Sequence, residues 1–267
     1  MKLKSSLRRI LPHFVWSFIS RIGYSLSAFW GKARWRLFGR KANWFEVPII
    51  INNYNRLEYL LRLIASLESR GYHNIHILDN KSNYQPLLKY YETCPYEVLH
   101  LSKNFGFPAL WKSGVYERFK SSFYVYTDSD MEIDDDCPAD FMNRFGSLLL
   151  KYPFCSKVGF GIRIDNLPEC FNLRDQVREH EAQFWEKEVE PGVFKAVIDT
   201  TFALYPPYTE GASSPYKTMF RLGSPYVIRH LPWYVDSSNL SEEDKYYLST
   251  IAASTSHWSA RAKETEL

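Results

Sequence analysis

Cysteine is scarce and unpatterned in this chain: Cys94, Cys137, Cys155 and Cys170 are its four, and no two form a C-x-x-C pair. That excludes a ribbon- or finger-type zinc site and offers no disulfide framework; reduced thiols in a cytosolic setting are the simplest account. Acid is absent from the first 41 residues, which carry ten bases: Lys2, Lys4, Arg8, Arg9, Arg21, Lys32, Arg34, Arg36, Arg40 and Lys41. Taking those ten from 33 leaves 23 bases against 30 acids, a net of −7 for the rest of the chain. A mildly acidic body argues against a protein built to coat nucleic acid. Long uncharged runs are also missing. Ile10–Ser20 and Ile22–Gly31 are the longest near the amino terminus, and both are too short to span a bilayer. No small-residue cleavage site follows them cleanly, so a secretory leader is the weaker reading. With 45% hydrophobic and 17% aromatic residues, the chain can still bury a substantial core.

The acid-free segment has a pattern of its own. Leu3, Leu7, Ile10, Leu11, Phe14, Val15, Phe18, Ile19, Ile22, Leu26 and Phe29 recur at three- and four-residue steps and share a helical face, bent or restarted at Pro12. With Trp16, Trp30 and Trp35 and unopposed positive charge, this basic amphipathic arm suits the surface of an anionic membrane. Packing against the body or a partner chain is the alternative. The composition changes near Asn43, which divides the chain into an arm, 1–42, and a body, 43–267.

The body reads as alternating strands and helices. Val47–Ile51 is an apolar strand leaving through Asn52-Asn53-Tyr54-Asn55-Arg56, and Leu57, Leu60, Leu61, Ile64 and Leu67 keep helical spacing to Gly71. Asn55 with Glu58 suggests a capping box. Ile75–Leu78 is a second strand ending in Asp79-Asn80-Lys81-Ser82-Asn83. A helix around Gln85–Glu92 follows, then a third strand at Glu97–Leu101 running into Ser102–Gly106, and a helix over Pro108–Phe119. The fourth strand, Ser122–Thr127, ends in Asp128-Ser129-Asp130. This alternation predicts an α/β fold with a mostly parallel sheet and right-handed crossovers. Four consecutive strands then deliver polar, Asn- and Asp-bearing loops to one edge, where such sheets bind ligands. Paired carboxylates there suit magnesium or manganese carrying a diphosphate. A polar cap on the next helix is the plain alternative for an isolated Asp-x-Asp. Asp134-Asp135-Asp136, ahead of Pro138 and Phe141, is read as such a cap.

Taken together, four segments resemble glycosyltransferase family 2, inverting nucleotide-sugar enzymes of the GT-A fold. Val-Pro-Ile-Ile-Ile-Asn-Asn-Tyr-Asn-Arg with Ser66-Leu67 is similar to the family's opening, and Leu78-Asp79-Asn80 to its second-strand turn. Asn104-Phe105-Gly106 resembles its Asn-x-Gly segment, and Thr127-Asp128-Ser129-Asp130 its metal-binding Asp-x-Asp. The segments cover about residues 47–135, the nucleotide-sugar half; 136–260 would form the acceptor half. Asn53 departs from a common Thr and Lys112 from a frequent Asn, which bears on the nucleotide and sugar. By this resemblance Asn53, Tyr54, Asn55, Asp79, Asn104 and Asp128 bind the nucleotide-sugar, a UDP-sugar being favoured. Asp130 and Asp128 hold Mn2+ or Mg2+, and a late histidine, His230, completes the shell. Asn55 as a cap, Asp79 as a turn residue and His230 as a structural histidine remain the alternatives.

Further on, Val158–Ile164 reads as a fifth strand ending at Asp165, Phe171–Lys187 as largely helical, and Val193–Leu204 as a strand pair. Asp199 interrupts an apolar run. Burying a carboxylate is costly without a partner, so Asp199 is either a general base for the acceptor hydroxyl or a hydrogen-bonded strand-end acid. Asp165 is the second candidate base, with Glu181 and Glu210 as competitors. After a Gly/Ser/Pro-rich loop, 206–225, Arg229 or Lys217 could meet a diphosphate, and Trp233 and Tyr234 could stack on a sugar or belong to the core. A closing helix over Glu242–Ala253 and a loose tail after Arg261 complete the reading.

The expected activity is metal-dependent, inverting transfer of a monosaccharide from a nucleoside diphosphate sugar to a carbohydrate or lipid-linked acceptor. Surface-polysaccharide synthesis on the cytoplasmic side of a membrane is its expected setting. A sugar-1-phosphate nucleotidyltransferase is a rival, but Asn52–Arg56 lacks the glycine-rich loop that chemistry uses. A membrane-bound, non-catalytic scaffold of the same fold is another.

Overall fold

The first strand opens with three isoleucines, Ile49–Ile51, and a fully buried strand must be covered on both faces. In the computed structural model every residue of Ile49–Asn53 (β1) is buried. The structure describes residues 42–199, 201–211 and 217–251, with isolated helical positions at 15, 22, 23, 26, 29, 30 and 33. Most of the arm's stripe, residue 200, the loop residues 212–216 and the tail from 252, with the expectations placed on them, lie outside the described residues.

Around β1 the sheet grows by α/β units. Ile75–Asp79 (β2) and Tyr124–Asp128 (β4) flank β1, and Glu97–His100 (β3) adds to β2, all parallel. The order of the main path is β3-β2-β1-β4-β9-β6-β10-β8-β7, where β6 is Cys155–Ile162, β7 Glu188–Glu190, β8 Val193–Lys195, β9 Ala203–Tyr205 and β10 Thr218–His230. Off that path, Met131–Ile133 (β5) pairs with β10. β6 and β10 are parallel, while β9 is wedged antiparallel between β4 and β6. The result is a mixed α/β fold with a central, mostly parallel sheet flanked by helices.

Glu58–Glu68 (α1) buries Tyr59, Leu60, Leu63, Ile64 and Leu67 on one side of the sheet. Phe141–Lys151 (α4) adds Phe141, Phe145 and Leu149 to the same core. A second core on the opposite face gathers Ile50, Leu78, Tyr124 and Tyr126 with Leu110 of the short Ala109–Lys112 (α3). The other helices are Gln85–Tyr91 (α2), Arg174–Ala182 (α5) and Glu242–Thr250 (α6). Among the described residues, no helix is long and apolar enough to cross a membrane.

Four expectations change. The helix over Pro108–Phe119 breaks at Gly114, whose φ of 85° suits a residue without Cβ, and resumes as a 3-10 turn at Val115–Arg118. Val193–Leu204 does not form a strand pair: β8 joins β10, and β9 crosses to β4. β9 can approach β6 so closely because of Gly159, where a Cβ would fall 2.3 Å from the Phe202 carbonyl oxygen. The expected loop 206–225 is strand from Thr218 onward, since Gly223-Ser224-Pro225 falls in an irregularity between Leu222 and Val227. Finally, Asn55 makes no capping box. α1 begins at Glu58 after Leu57, which gives it no side-chain cap, and the Glu243 carboxylate accepts from Leu57 N (2.8 Å) and Glu58 N (3.1 Å).

Candidate functional site

Parallel strands β1, β2 and β4 end together, so their loops converge on one edge, and the long β10 reaches the same edge from the other half of the sheet. A cavity of about 630 Å³ opens there. Lining it are Asn52, Tyr54, Asn80, Asn104 and Phe107 from the loops after β1, β2 and β3, Asp128 and Asp130 at the end of β4 in the middle of the sheet with His230 at the end of β10, and Glu181, Phe184, Asp199, Thr201 and Arg221.

The middle is assembled by backbone pairing. β5 runs antiparallel to β10 and sets Met131 opposite His230, and Leu231 N donates to the Asp130 carbonyl at 2.8 Å. His230 Nε2 thereby lies 3.3 Å from Asp130 Oδ2. Burial works to raise the Asp130 pKa, but the charge and hydrogen bond of His230, with the field of Arg56, outweigh it and hold the carboxyl below its ordinary value. Its second oxygen, Oδ1, is buried with no hydrogen-bond partner among the described residues, and so is His230 Nδ1. A buried, partnerless oxygen of a carboxylate held ionised is the kind of group a cation satisfies. Asp128 stands apart: its Oδ1 accepts from Asn52 Nδ2 at 3.1 Å. Among the described residues no three His, Cys, Asp or Glu side chains are gathered to hold a metal; of the expected Asp130, Asp128 and His230, it is Asp130 and His230 that lie together. Magnesium and manganese are commonly bound by one or two protein groups, the rest of the shell being water and substrate phosphate, so two ligands fit such an ion.

Of the expected nucleotide residues, Tyr54, Asn104 and Asp128 line the cavity; Asn53, Asn55 and Asp79 do not. Asn53 is wholly buried, its Nδ2 donating to Tyr91 Oη at 2.9 Å. Asn55, at φ 53°, takes the N–H groups of Asn83 and Tyr84 on Oδ1 and donates to Thr250 Oγ1, so it ties the loop after β1 to the loop after β2 and to α6. Asp79 accepts from Ser82 N at 3.2 Å and lies 3.2 Å from His100 Nδ1, shaping its own turn. Asn80, its neighbour, is the lining residue; it accepts from Phe105 N and donates to the Gly106 carbonyl, joining the second loop to the Asn104 segment.

Of the candidate bases, Asp199 is exposed and lines the cavity. Asp165 does not; it is exposed and pairs with Arg163 at 2.9 Å. Glu181 lines the cavity but is locked to Arg221 at 2.7 Å with both side chains buried, and Glu210 is outside the lining. Arg229 is turned to Asp135 (3.1 Å) and Glu132 (3.4 Å), and Lys217 to the Glu210 carbonyl, so neither reaches the cavity wall. Trp233 lines the cavity with its ring 4.5 Å from His230, whereas Tyr234 donates to Asn166 Oδ1 outside it. Arg56, Asn80, Arg221 and Lys157 were not singled out by the sequence; a base inside apolar Met-Phe-Arg-Leu and Ser-Lys-Val-Gly stretches was the available signal for the last two.

Lys157 supports the Asp199 segment from below. It is 1% exposed, and Nζ donates to the Asp199 carbonyl (2.8 Å) and Tyr205 Oη (3.0 Å). Burial, partly offset by the Asp199 charge, lowers its pKa to about 7. Between that value and the lysine value of 10.5 the unfolded chain binds more protons than the folded one, so stability should rise with pH across this window. The penalty for burying the charge is fully present below about pH 7. Urea melts at pH 6.5 and 9 should show a gain of a few kcal/mol, because each pH step inside the window contributes about 1.4 kcal/mol. In Lys157→Met that slope should flatten; an unchanged slope would place the titration elsewhere.

No curated protein matches the chain. Among solved structures it is similar to GalNAc-T7 with UDP, GalNAc and Mn2+ (12% identity over 71% of this chain and 44% of that one, TM-score 0.46). It is also similar to S. aureus TarS (14%, 81% and 41%, 0.41) and to glucosyl-3-phosphoglycerate synthase from Mycobacterium tuberculosis (13%, 62% and 62%, 0.38). The chain spans less than two thirds of the length of each of these proteins. A family profile described as glycosyl transferase family 2 matches residues 49–182, half of the chain, and takes in β1 to β6, the Asp128-Ser129-Asp130 turn and α5. The chain belongs to glycosyl transferase family 2.

Proposed function

We propose that this chain is a metal-dependent, inverting glycosyltransferase that moves a monosaccharide from a nucleoside diphosphate sugar, a UDP-sugar being favoured, to a carbohydrate or lipid-linked acceptor. The carrying observation is the Asp130–His230 pair, with its buried partnerless carboxylate oxygen, in a cavity that Asp199 also lines. Asp130 and His230 would hold Mn2+ or Mg2+, which would offset charge developing on the departing diphosphate. Tyr54, Asn80 and Asn104 would receive the nucleoside end. Asn52 steadies the Asp128 carboxylate, which would face the ribose and diphosphate. Asp199 would take the proton from the acceptor hydroxyl as that oxygen bonds to the anomeric carbon. The bond from that carbon to the phosphate oxygen breaks, and its electron pair leaves with the diphosphate.

The test is a thermal-shift screen of UDP, GDP, ADP, CDP and dTDP with MnCl2. A diphosphate at a hundred times its Kd should stabilise the folded chain by about 2.7 kcal/mol. A melting temperature unmoved by all five would sink the reading.

The arm, 1–42, would attach the 43–267 body to the cytoplasmic face of a membrane where glycans are assembled on lipid. Its described side chains Ile22, Leu26 and Trp30 are exposed, and Phe29 stacks 6.3 Å from Phe154, an exposed aromatic of the body. With ten bases and no acid nearby, these groups suit an anionic interface. Flotation with vesicles should give binding that requires phosphatidylserine and weakens severalfold in Trp30→Ser/Phe154→Ser. Equal recovery on purely zwitterionic vesicles, or none on either kind, would discard the membrane role.

A further inference from the structure

Arg56 has no part in the assignment above. It lines the cavity, is 5% exposed, and is gripped by the C-terminal helix α6. Its Nη1 donates to Asp244 Oδ1 at 2.5 Å, and its guanidinium lies 3.8 Å from the centre of the Tyr247 ring and 4.7 Å from that of Tyr59. Asp244 is itself fixed, accepting from Ser241 Oγ at 2.6 Å and Tyr59 Oη at 3.1 Å. Such a mounting leaves the guanidinium little freedom. Nevertheless, Arg56 Nε is buried with no hydrogen-bond partner among the described residues.

An ion pair with Asp244 accounts for the buried charge but not for that orphaned donor. A buried N–H without an acceptor costs the free energy of its lost hydration, so a bound acceptor is the natural remedy. Lining the same cavity, Asp130 has an oxygen, Oδ1, that is orphaned in the opposite sense. An oxyanion would satisfy the Arg56 donor, and a cation the Asp130 oxygen. A diphosphate–metal pair brings both.

We propose that Arg56 binds the diphosphate of the donor, and that α6, through Asp244 and Tyr247, is the support that positions it. This rests on the transferase reading and deepens it: charge recognition is assigned to the loop after β1, and the far carboxyl-terminal helix becomes part of the donor site. Loss of a charge-assisted hydrogen bond predicts a ten- to hundredfold loss of diphosphate affinity.

The test is the variant Arg56→Gln/Asp244→Asn. It removes both charges together, so neither is stranded, and keeps hydrogen-bonding groups at both positions. Calorimetric titration with MnCl2 would use whichever of UDP, GDP, ADP, CDP and dTDP binds the unaltered chain best, and its nucleoside monophosphate. The expected result is a melting temperature near that of the unaltered chain without ligand, a ten- to hundredfold weaker diphosphate, and a smaller loss for the monophosphate. Equal diphosphate affinity in the two proteins would overturn the proposal. If the double variant melts far lower, Arg56→Lys carries the test, because it keeps the charge opposite Asp244 but not the planar fork. Weakened diphosphate binding at a preserved melting temperature then supports the proposal, and unchanged binding overturns it. An unaltered chain that binds none of the five overturns the transferase reading, and this inference with it.

Discussion

Asp130→Asn should lower sugar transfer at least a hundredfold and abolish the dependence of donor binding on manganese, while the protein stays folded. An amide is a poor ligand for a hard divalent ion, and electrostatic stabilisation of a leaving group contributes on the order of 3–4 kcal/mol in sites of this kind. The fold should survive because the structural bond at this position is made by the backbone, Leu231 N to the Asp130 carbonyl, which the substitution keeps. The attraction to His230 is what disappears. Since the folded-state pKa of Asp130 lies below its ordinary value, its stabilising share is complete above the unfolded pKa and is lost only as pH falls through the lower folded value. The amide of the variant carries no group that ionises in this range, so its loss of activity should not be recovered by raising the pH. Donor turnover in the mutant equal to that of the native chain would remove the site assignment.

Asp199→Asn should leave donor affinity and its manganese dependence intact and cut kcat by about 10²- to 10⁴-fold, the usual worth of a positioned general base. The distinction from the Asp130 variant is the informative part. Asp199 lines the cavity, exposed, with its backbone carbonyl anchored by Lys157. Glu181→Gln provides the contrast. Glu181 is the buried partner of Arg221, whose Nε also donates to the Val197 carbonyl, so its neutralisation leaves a buried guanidinium short of its counter-charge. Breaking such a pair costs about 3–5 kcal/mol, and the result should be a lowered melting temperature. A large kcat loss in Glu181→Gln at unchanged stability, with Asp199→Asn fully active, would transfer the role of base to Glu181.

The stretch from β1 to β4 was readable because its information is local. Ile49–Ile51, Ile75–Leu78 and Tyr124–Thr127 are short apolar runs that end in Asn or Asp, and parallel packing sends all three ends to one edge. Asp128 and Asp130 therefore lie where their strand ends. The second half was less legible because its determinants are distant. β9 is three residues long and carries no sign that its neighbours are β4 and β6. Gly223-Ser224-Pro225 looks like a turn, yet a register shift absorbs it within β10. The α1 amino terminus is capped by Glu243, whose sequence position lies at the far end of the chain. Asn55 and Asp79 show the same effect at the site. Each type can contact a ligand or shape a turn, and here their side chains are engaged with neighbouring loops. Arg56 was visible as a letter of the first motif, but its unmet donor appears only once Asp244 has claimed the other end of the guanidinium.

The central claim is that Asp130, with His230, holds a divalent ion that carries the donor's diphosphate. The most direct measurement is calorimetric titration of UDP into the full chain with MnCl2 and again with EDTA, repeated for Asp130→Asn. A metal-carried diphosphate predicts binding at least tenfold tighter with manganese in the native chain and no manganese effect in the variant. UDP binding equally tight in manganese and in EDTA, and equally tight in both proteins, would contradict it.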